Sequence, residues 1–193
     1  MLRNLFAKIL GAAALILLST PVWAEGDGPG PNLVIEVSGK ANGKIVIDLN
    51  PDIAPKAVAQ IVALAKAGAY DNVVFHRVID GFMAQTGDVK YGKKGGDTAM
   101  AGMGGSSMAD LPSEFSTVPF ERGIVGMARS QDPNSANSQF FIMFAPGDFL
   151  NGQYTVIGKV ISGMDVVDAL KRGEGQNGEV KDPDVMTKVT VQP

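Results

Sequence analysis

Arg77 lies in the run Phe75-His76-Arg77-Val78-Ile79-Asp80-Gly81-Phe82-Met83-Ala84-Gln85-Thr86-Gly87-Asp88, near two large apolar side chains, Phe82 and Met83, and an amide, Gln85. A permanent cation next to an apolar socket suits a ligand that is itself apolar but carries one polar atom to be gripped. A second run, Ser138-Gln139-Phe140-Phe141-Ile142, puts Gln139 and Phe141 on one side of a strand by alternation, as Met83 and Gln85 are on theirs. Phe82 and Met83 would face opposite ways in a regular strand. For both to reach one pocket, the backbone has to deviate just after Asp80-Gly81. By the same alternation His76 points away from Arg77, and it reads as structural.

Composition removes most other chemistry. Cysteine is absent and histidine occurs once, at His76, so thiol catalysis, thiolate metal sites and redox relays are excluded. A Ser-His-Asp triad would have to use His76, and a zinc site would need more nitrogen ligands than exist. Ser138 has a glutamine beside it and no available base, so a serine hydrolase is discarded. What remains is chemistry that needs no strong acid, base or metal.

Residues 1–24 have the layout of a cleaved signal peptide. Arg3 and Lys8 form a basic start, residues 9–18 are apolar, and Val22 and Ala24 are the small residues before a cut ahead of Glu25. The apolar run is shorter than the roughly 20 residues that span a bilayer. Residues 25–31 (EGDGPGP) read as a flexible mature N-terminus, and residues 32–193 as one domain. Without the leader the chain carries 15 basic and 20 acidic residues, a mildly acidic balance that argues against nucleic acid or an anionic membrane as partner. Nothing predicts an obligate dimer, and a monomer is expected.

The elements that must hold Arg77 and its neighbours are mostly short strands. Alternation marks residues 32–37 and 44–49 as a hairpin around Asn42-Gly43, and residues 73–79 and 82–86 as a second strand pair. Residues 123–128, 139–144, 155–160 and 184–191 are further strands. Ala57, Ile61, Leu64 and Ala65 recur at helical spacing over 56–67, with Pro55 at the start and Gly68 at the stop. Residues 164–171 form a shorter amphipathic helix. Strands without regular βα alternation argue for an antiparallel sheet, and so many short ones for a closed barrel with two helices over its ends. The glycine-rich stretch 91–107 shows no periodicity and reads as a long, mobile surface loop.

Both runs resemble the signatures of the cyclophilin-type peptidyl-prolyl cis-trans isomerases, in the right order, and the resemblance covers residues 32–192. It implies a closed eight-stranded antiparallel β-barrel capped by two α-helices, with no cofactor. It also implies rotation about X–Pro bonds as the activity. That rotation faces a barrier of about 18–20 kcal/mol because it breaks amide resonance. In the twisted state the prolyl nitrogen regains a lone pair, and a guanidinium aimed at it binds the transition state more tightly than either planar state. Arg77 matches that catalytic position. Phe82, Met83, Phe141 and Leu150 match the proline pocket. Gln85 and Gln139 match glutamines that hold the peptide backbone or the arginine itself. Ala128 and Arg129 match positions that meet the residues before proline.

Three positions depart from well-studied eukaryotic members: Phe149 stands where many have tryptophan, Tyr154 where many have histidine, and Arg129 where many have asparagine. Cyclosporin binding in the family leans on an indole N–H that phenylalanine lacks, so weakened drug binding with retained catalysis is expected. The residues resemble bacterial exported members, with the periplasm as expected location and proline-containing unfolded or folding polypeptides as partners. The competing expectation is a non-catalytic module that holds proline peptides as a chaperone or assembly factor.

Overall fold

The computed structural model describes residues 26–193, and the expected signal peptide lies outside the described residues. The strands are β1 Asn32–Ser38, β2 Gly43–Leu49, β3 Val73–Val74, β4 Arg77–Ile79, β5 Met83–Thr86, β6 Ile124–Met127, β7 Phe140–Met143, β8 Val156–Ser162 and β9 Val185–Gln192. Helices α1 Pro55–Lys66 and α2 Met164–Ala169 and a 3-10 turn Asp148–Leu150 complete the elements. Residues 26–31 form no helix or strand. They are nonetheless tied to the domain: Gly28 N–H donates to Asp48 Oδ2 at 3.1 Å and Leu49 N–H to the Pro31 carbonyl at 3.1 Å.

All nine strands belong to one antiparallel sheet in the order β3-β9-β1-β2-β8-β6-β7-β5-β4. Its two edges, β3 and β4, are separated in sequence only by Phe75 and His76. Three extended links span at most about 10 Å, so the sheet has to curl until its edges nearly meet. This corrects the expectation of a closed, eight-stranded barrel: among the described residues there are nine strands, and no ladder closes the ring. The single strand expected over 73–79 breaks at Phe75-His76 because these residues bond to an irregular segment instead. Phe75 N–H donates to the Asp184 carbonyl at 2.9 Å, and Val180 N–H to the His76 carbonyl at 3.1 Å. Both edges are covered, since Val74 N–H donates to Gly92 and Val78 N–H to Gly178, each at 2.8 Å.

Alternation along the strands sorts the apolar residues onto two faces. Ala84, Phe140 and Ile142 join Leu33, Ile35, Ile47 and the α1 residues Val58 and Ile61 in a cluster drawn from nearly every strand, which fills the curled sheet. Met83, Phe141 and Met143 alternate with them and join Phe120, Leu150 and Val156 on the opposite face. Helix α1 starts with Pro55 and no side-chain cap of its own. Glu114, remote in sequence, accepts the Lys56 and Ala57 N–H groups at 3.1 and 2.9 Å. A carboxylate is favourable there because the first-turn N–H groups lack intrahelical partners. The helix ends as expected at Gly68, whose φ is +68°, with Ala69 N–H donating to Leu64 and Gly68 N–H to Ala65.

Candidate active site

Register lines up four residues across four neighbouring strands. Arg77 on β4 faces Gln85 on β5, Gln85 faces Phe141 on β7, and Phe141 faces Gly126 on β6. The row lies on the same face as the second apolar cluster, so a cation, an amide and an aromatic ring stand abreast above an apolar floor. Gly126 is required by the ring beside it. A Cβ there would lie 2.6 Å from Phe141 Cζ and 2.7 Å from Phe120 Cε1. Phe120 in turn stacks on Phe141 with centroids 5.6 Å apart.

Arg77 is held from three sides. Its Nε donates to the Asn177 carbonyl at 2.9 Å, and its Nη1 to Gln85 Oε1 at 3.2 Å, with Met83 Sδ 3.7 Å away. Gln85 Nε2 donates to Gln139 Oε1 at 2.9 Å, and Gln139 Nε2 to the Gly102 and Gly104 carbonyls at 2.9 and 2.8 Å. The relay runs from the arginine through two amides to the glycine-rich loop. Burial pushes the Arg77 guanidinium below its usual value, opposed by Tyr154. An arginine so shifted stays charged, and among the described residues it forms no ion pair. Its charge is fixed in place and left uncompensated.

Beside this row is a pocket of about 260 Å³. Met83, Phe141 and Leu150 are almost fully buried beneath it. Phe82 and Phe149 form one wall with ring centroids 5.4 Å apart, and Tyr154 another, edge-on to Phe141 at 5.8 Å. Arg77, Gln85, Ala128 and Arg129 complete the lining. The backbone deviation expected between Phe82 and Met83 is present: β5 begins at Met83, and Phe82 belongs to a turn closed by its N–H bond to Ile79 at 3.1 Å. The pocket is smaller than the roughly 300–1,000 Å³ of sites for drug-sized ligands, a size suited to a single side chain or ring.

Of the residues picked from sequence, only Gln139 is absent from this pocket. It lines a second hollow of about 290 Å³, which shares Gln85, Ala128 and Arg129 with the first. Ser130, Ser135 and Asn137 also line that hollow, and sequence reasoning missed them. Asn137 precedes both the strand expected over 139–144 and β7 itself, so alternation did not mark it. Phe120 was missed as well, because it lies in an irregular segment with no periodicity to mark it.

The glycine-rich loop is organised by one carboxylate. Asp88 is fully buried; its Oδ1 accepts the Lys90 and Tyr91 N–H groups at 3.0 and 2.8 Å, and its Oδ2 those of Gly102 and Gly104 at 2.8 Å each. Gly104 has no room for a side chain, since a Cβ would lie 2.5 Å from Asp88 Oδ1. His76 is buried below this loop, and neither ring nitrogen has a hydrogen-bond partner. Burial lowers its pKa to about 4. The Asp88 charge and weaker polar influences of Val74 and Gln139 oppose the shift, while Arg77 adds to it.

Residues 33–191 match the family described as "Cyclophilin type peptidyl-prolyl cis-trans isomerase/CLD". A "Probable peptidyl-prolyl cis-trans isomerase" of Brucella suis biovar 1 (strain 1330) is 57% identical over 186 residues, covering 95% of this chain and 94% of that relative. Among solved structures, a cyclophilin-type isomerase of Cryptosporidium parvum, crystallised in the presence of the dipeptide Ala-Pro, superposes with a TM-score of 0.72 at 28% identity. It covers 84% of this chain and 99% of its own. A cyclophilin from Hirschia baltica gives a TM-score of 0.69 at 28% identity, over 85% of this chain and 74% of its own. The chain belongs to the cyclophilin-type peptidyl-prolyl cis-trans isomerases. It is an isomerase of X–Pro peptide bonds.

Proposed function

We propose that the chain catalyses X–Pro rotation with Arg77 as its only charged catalytic group, and that it does so for exported polypeptides as they fold. The observation that carries the mechanism is the uncompensated guanidinium at the lip of an apolar pocket, held by Gln85 and the Asn177 carbonyl. The proline ring enters over Met83, Phe141 and Leu150. Phe82, Phe149 and Tyr154 exclude water from it, while Ala128, Arg129 and Gln139 meet the flanking backbone. As the amide twists, the prolyl nitrogen becomes a better acceptor and the remaining Arg77 N–H donors stabilise it. A donor fixed beforehand costs no reorganisation when that lone pair appears.

A binding module needs the apolar pocket but not a cation poised in this way, and the two readings separate in one assay. Line-shape or exchange NMR on an X–Pro peptide, with Arg77→Ala against wild type, is expected to show a rate about 10²–10³ lower, the usual loss for one preorganised donor. An unchanged rate would overturn the mechanism.

Export rests on the basic, apolar and small-residue layout of residues 1–24, and the periplasm is the proposed location. N-terminal sequencing of protein recovered from the cell envelope is expected to begin at Glu25. The domain acts as a monomer, which sedimentation would test. Phe149 is 70% exposed and has no side-chain N–H to donate, so weakened cyclosporin binding is expected. Phe149→Trp is expected to tighten inhibition; equal inhibition of both proteins would refute this.

A further inference from the structure

We infer that the groove selects peptides carrying a carboxylate close to the proline, and that Arg129 is the selecting residue. This rests on the isomerase reading above and names its substrate class more narrowly.

Arg129 lines both hollows, so a peptide with its proline ring in one and a neighbouring side chain in the other passes along this residue. Its guanidinium lies over the Tyr154 ring, 4.4 Å from the centroid, and does not swing freely. Nε and Nη2 donate to the Gln153 carbonyl at 3.2 and 2.9 Å, and Nη1 to the Ser130 and Gln131 carbonyls at 2.8 and 3.3 Å. Those partners are neutral. They fix the cation in position without cancelling its charge, and one Nη2 hydrogen remains for a ligand. The nearby acid Asp132 is turned to its own loop, where Oδ1 accepts the Asn134 N–H at 2.9 Å.

Among the described residues no Asp or Glu lines either hollow, and neither Arg77 nor Arg129 forms an ion pair. The groove is therefore a local patch of two positive charges on a chain whose net charge is −3. A patch so placed rewards a carboxylate only at short range, because charges farther apart than about 10 Å are screened at ordinary ionic strength. Arg77 is committed to the prolyl nitrogen, which leaves Arg129 to meet the acidic side chain.

The test uses exchange NMR on matched proline peptides with Glu, Gln or Lys one or two residues before the proline. For wild type, kcat/KM is expected to favour Glu over Gln by about two- to fivefold at one of these positions, the size of a solvent-exposed ion pair. The preference is expected to fade as salt rises from about 0.05 to about 0.5 M. Arg129→Gln is expected to bring the Glu:Gln ratio to one, and Arg129→Lys to retain it. Ratios taken within each protein are independent of any general loss of activity in a variant. A wild-type ratio of one at both positions, a preference that survives in Arg129→Gln, or one that ignores salt would overturn the inference. If wild type turned over none of the peptides, the isomerase reading itself would fail.

Discussion

At the residue scale the site depends on neighbours that never touch the substrate. Gln85 holds Arg77 Nη1 and is itself held by Gln139. Gln85→Ala leaves the guanidinium held by a single hydrogen bond to oxygen, from Nε to the Asn177 carbonyl, and a roughly tenfold or greater fall in kcat with a smaller change in KM is expected. A rise in KM alone would instead assign Gln85 to substrate binding. Gly126→Ala acts by crowding. The new methyl group must displace Phe141 or Phe120, which costs about 1–3 kcal/mol of stability and narrows the pocket, so chemical denaturation and KM should both register it. Arg77, Phe82, Met83 and Phe141 were legible in sequence because they stand in two dense runs. Gly126 was not, since its importance comes from a ring on a strand paired with it only in the folded sheet.

The elements explain why a loop without periodicity can still be well placed. Four N–H groups converge on the buried Asp88 carboxylate, and the carbonyls of two of those residues, Gly102 and Gly104, accept from Gln139. Asp88→Asn puts an NH₂ group where N–H donors converge. Removing such a buried acceptor costs about 1–3 kcal/mol; hydrogen exchange at Gly102 and Gly104 should accelerate before that of the β-strands, with kcat falling in parallel. Unchanged exchange at those glycines would mean another contact holds the loop. The helix over 56–67 and the hairpin at Asn42-Gly43 were readable because their signals are local. Glu114 capping α1 and Asp88 gathering the loop are contacts between distant segments, and no spacing announces them.

For the whole molecule, the buried His76 links stability to pH. Its pKa is about 4 in the folded chain and about 6.5 when unfolded. The unfolded state therefore binds the extra proton between those values, so stability is full above about pH 6.5 and is lost as pH falls toward 4. Urea denaturation is expected to show about 2 kcal/mol less stability at pH 5 than at pH 7, a loss that His76→Gln largely removes. A wild-type profile flat over that range would contradict this. The same residue stands at the seam of the sheet, where β3 and β4 are joined by two residues. That junction works as a gauge for the register of the whole sheet. A slip of two residues in any ladder would offset the two edges by roughly 7 Å along the strand direction, and Phe75-His76 has no slack to absorb it. Gln85 is Arg77's partner within the single hairpin of β4 and β5, but correct pairing elsewhere is a precondition for Arg77 reaching the Asn177 carbonyl. Two glycines inserted between Phe75 and His76 would supply that slack, and the expected result is a folded sheet in which Arg77 keeps Gln85 but loses the Asn177 carbonyl.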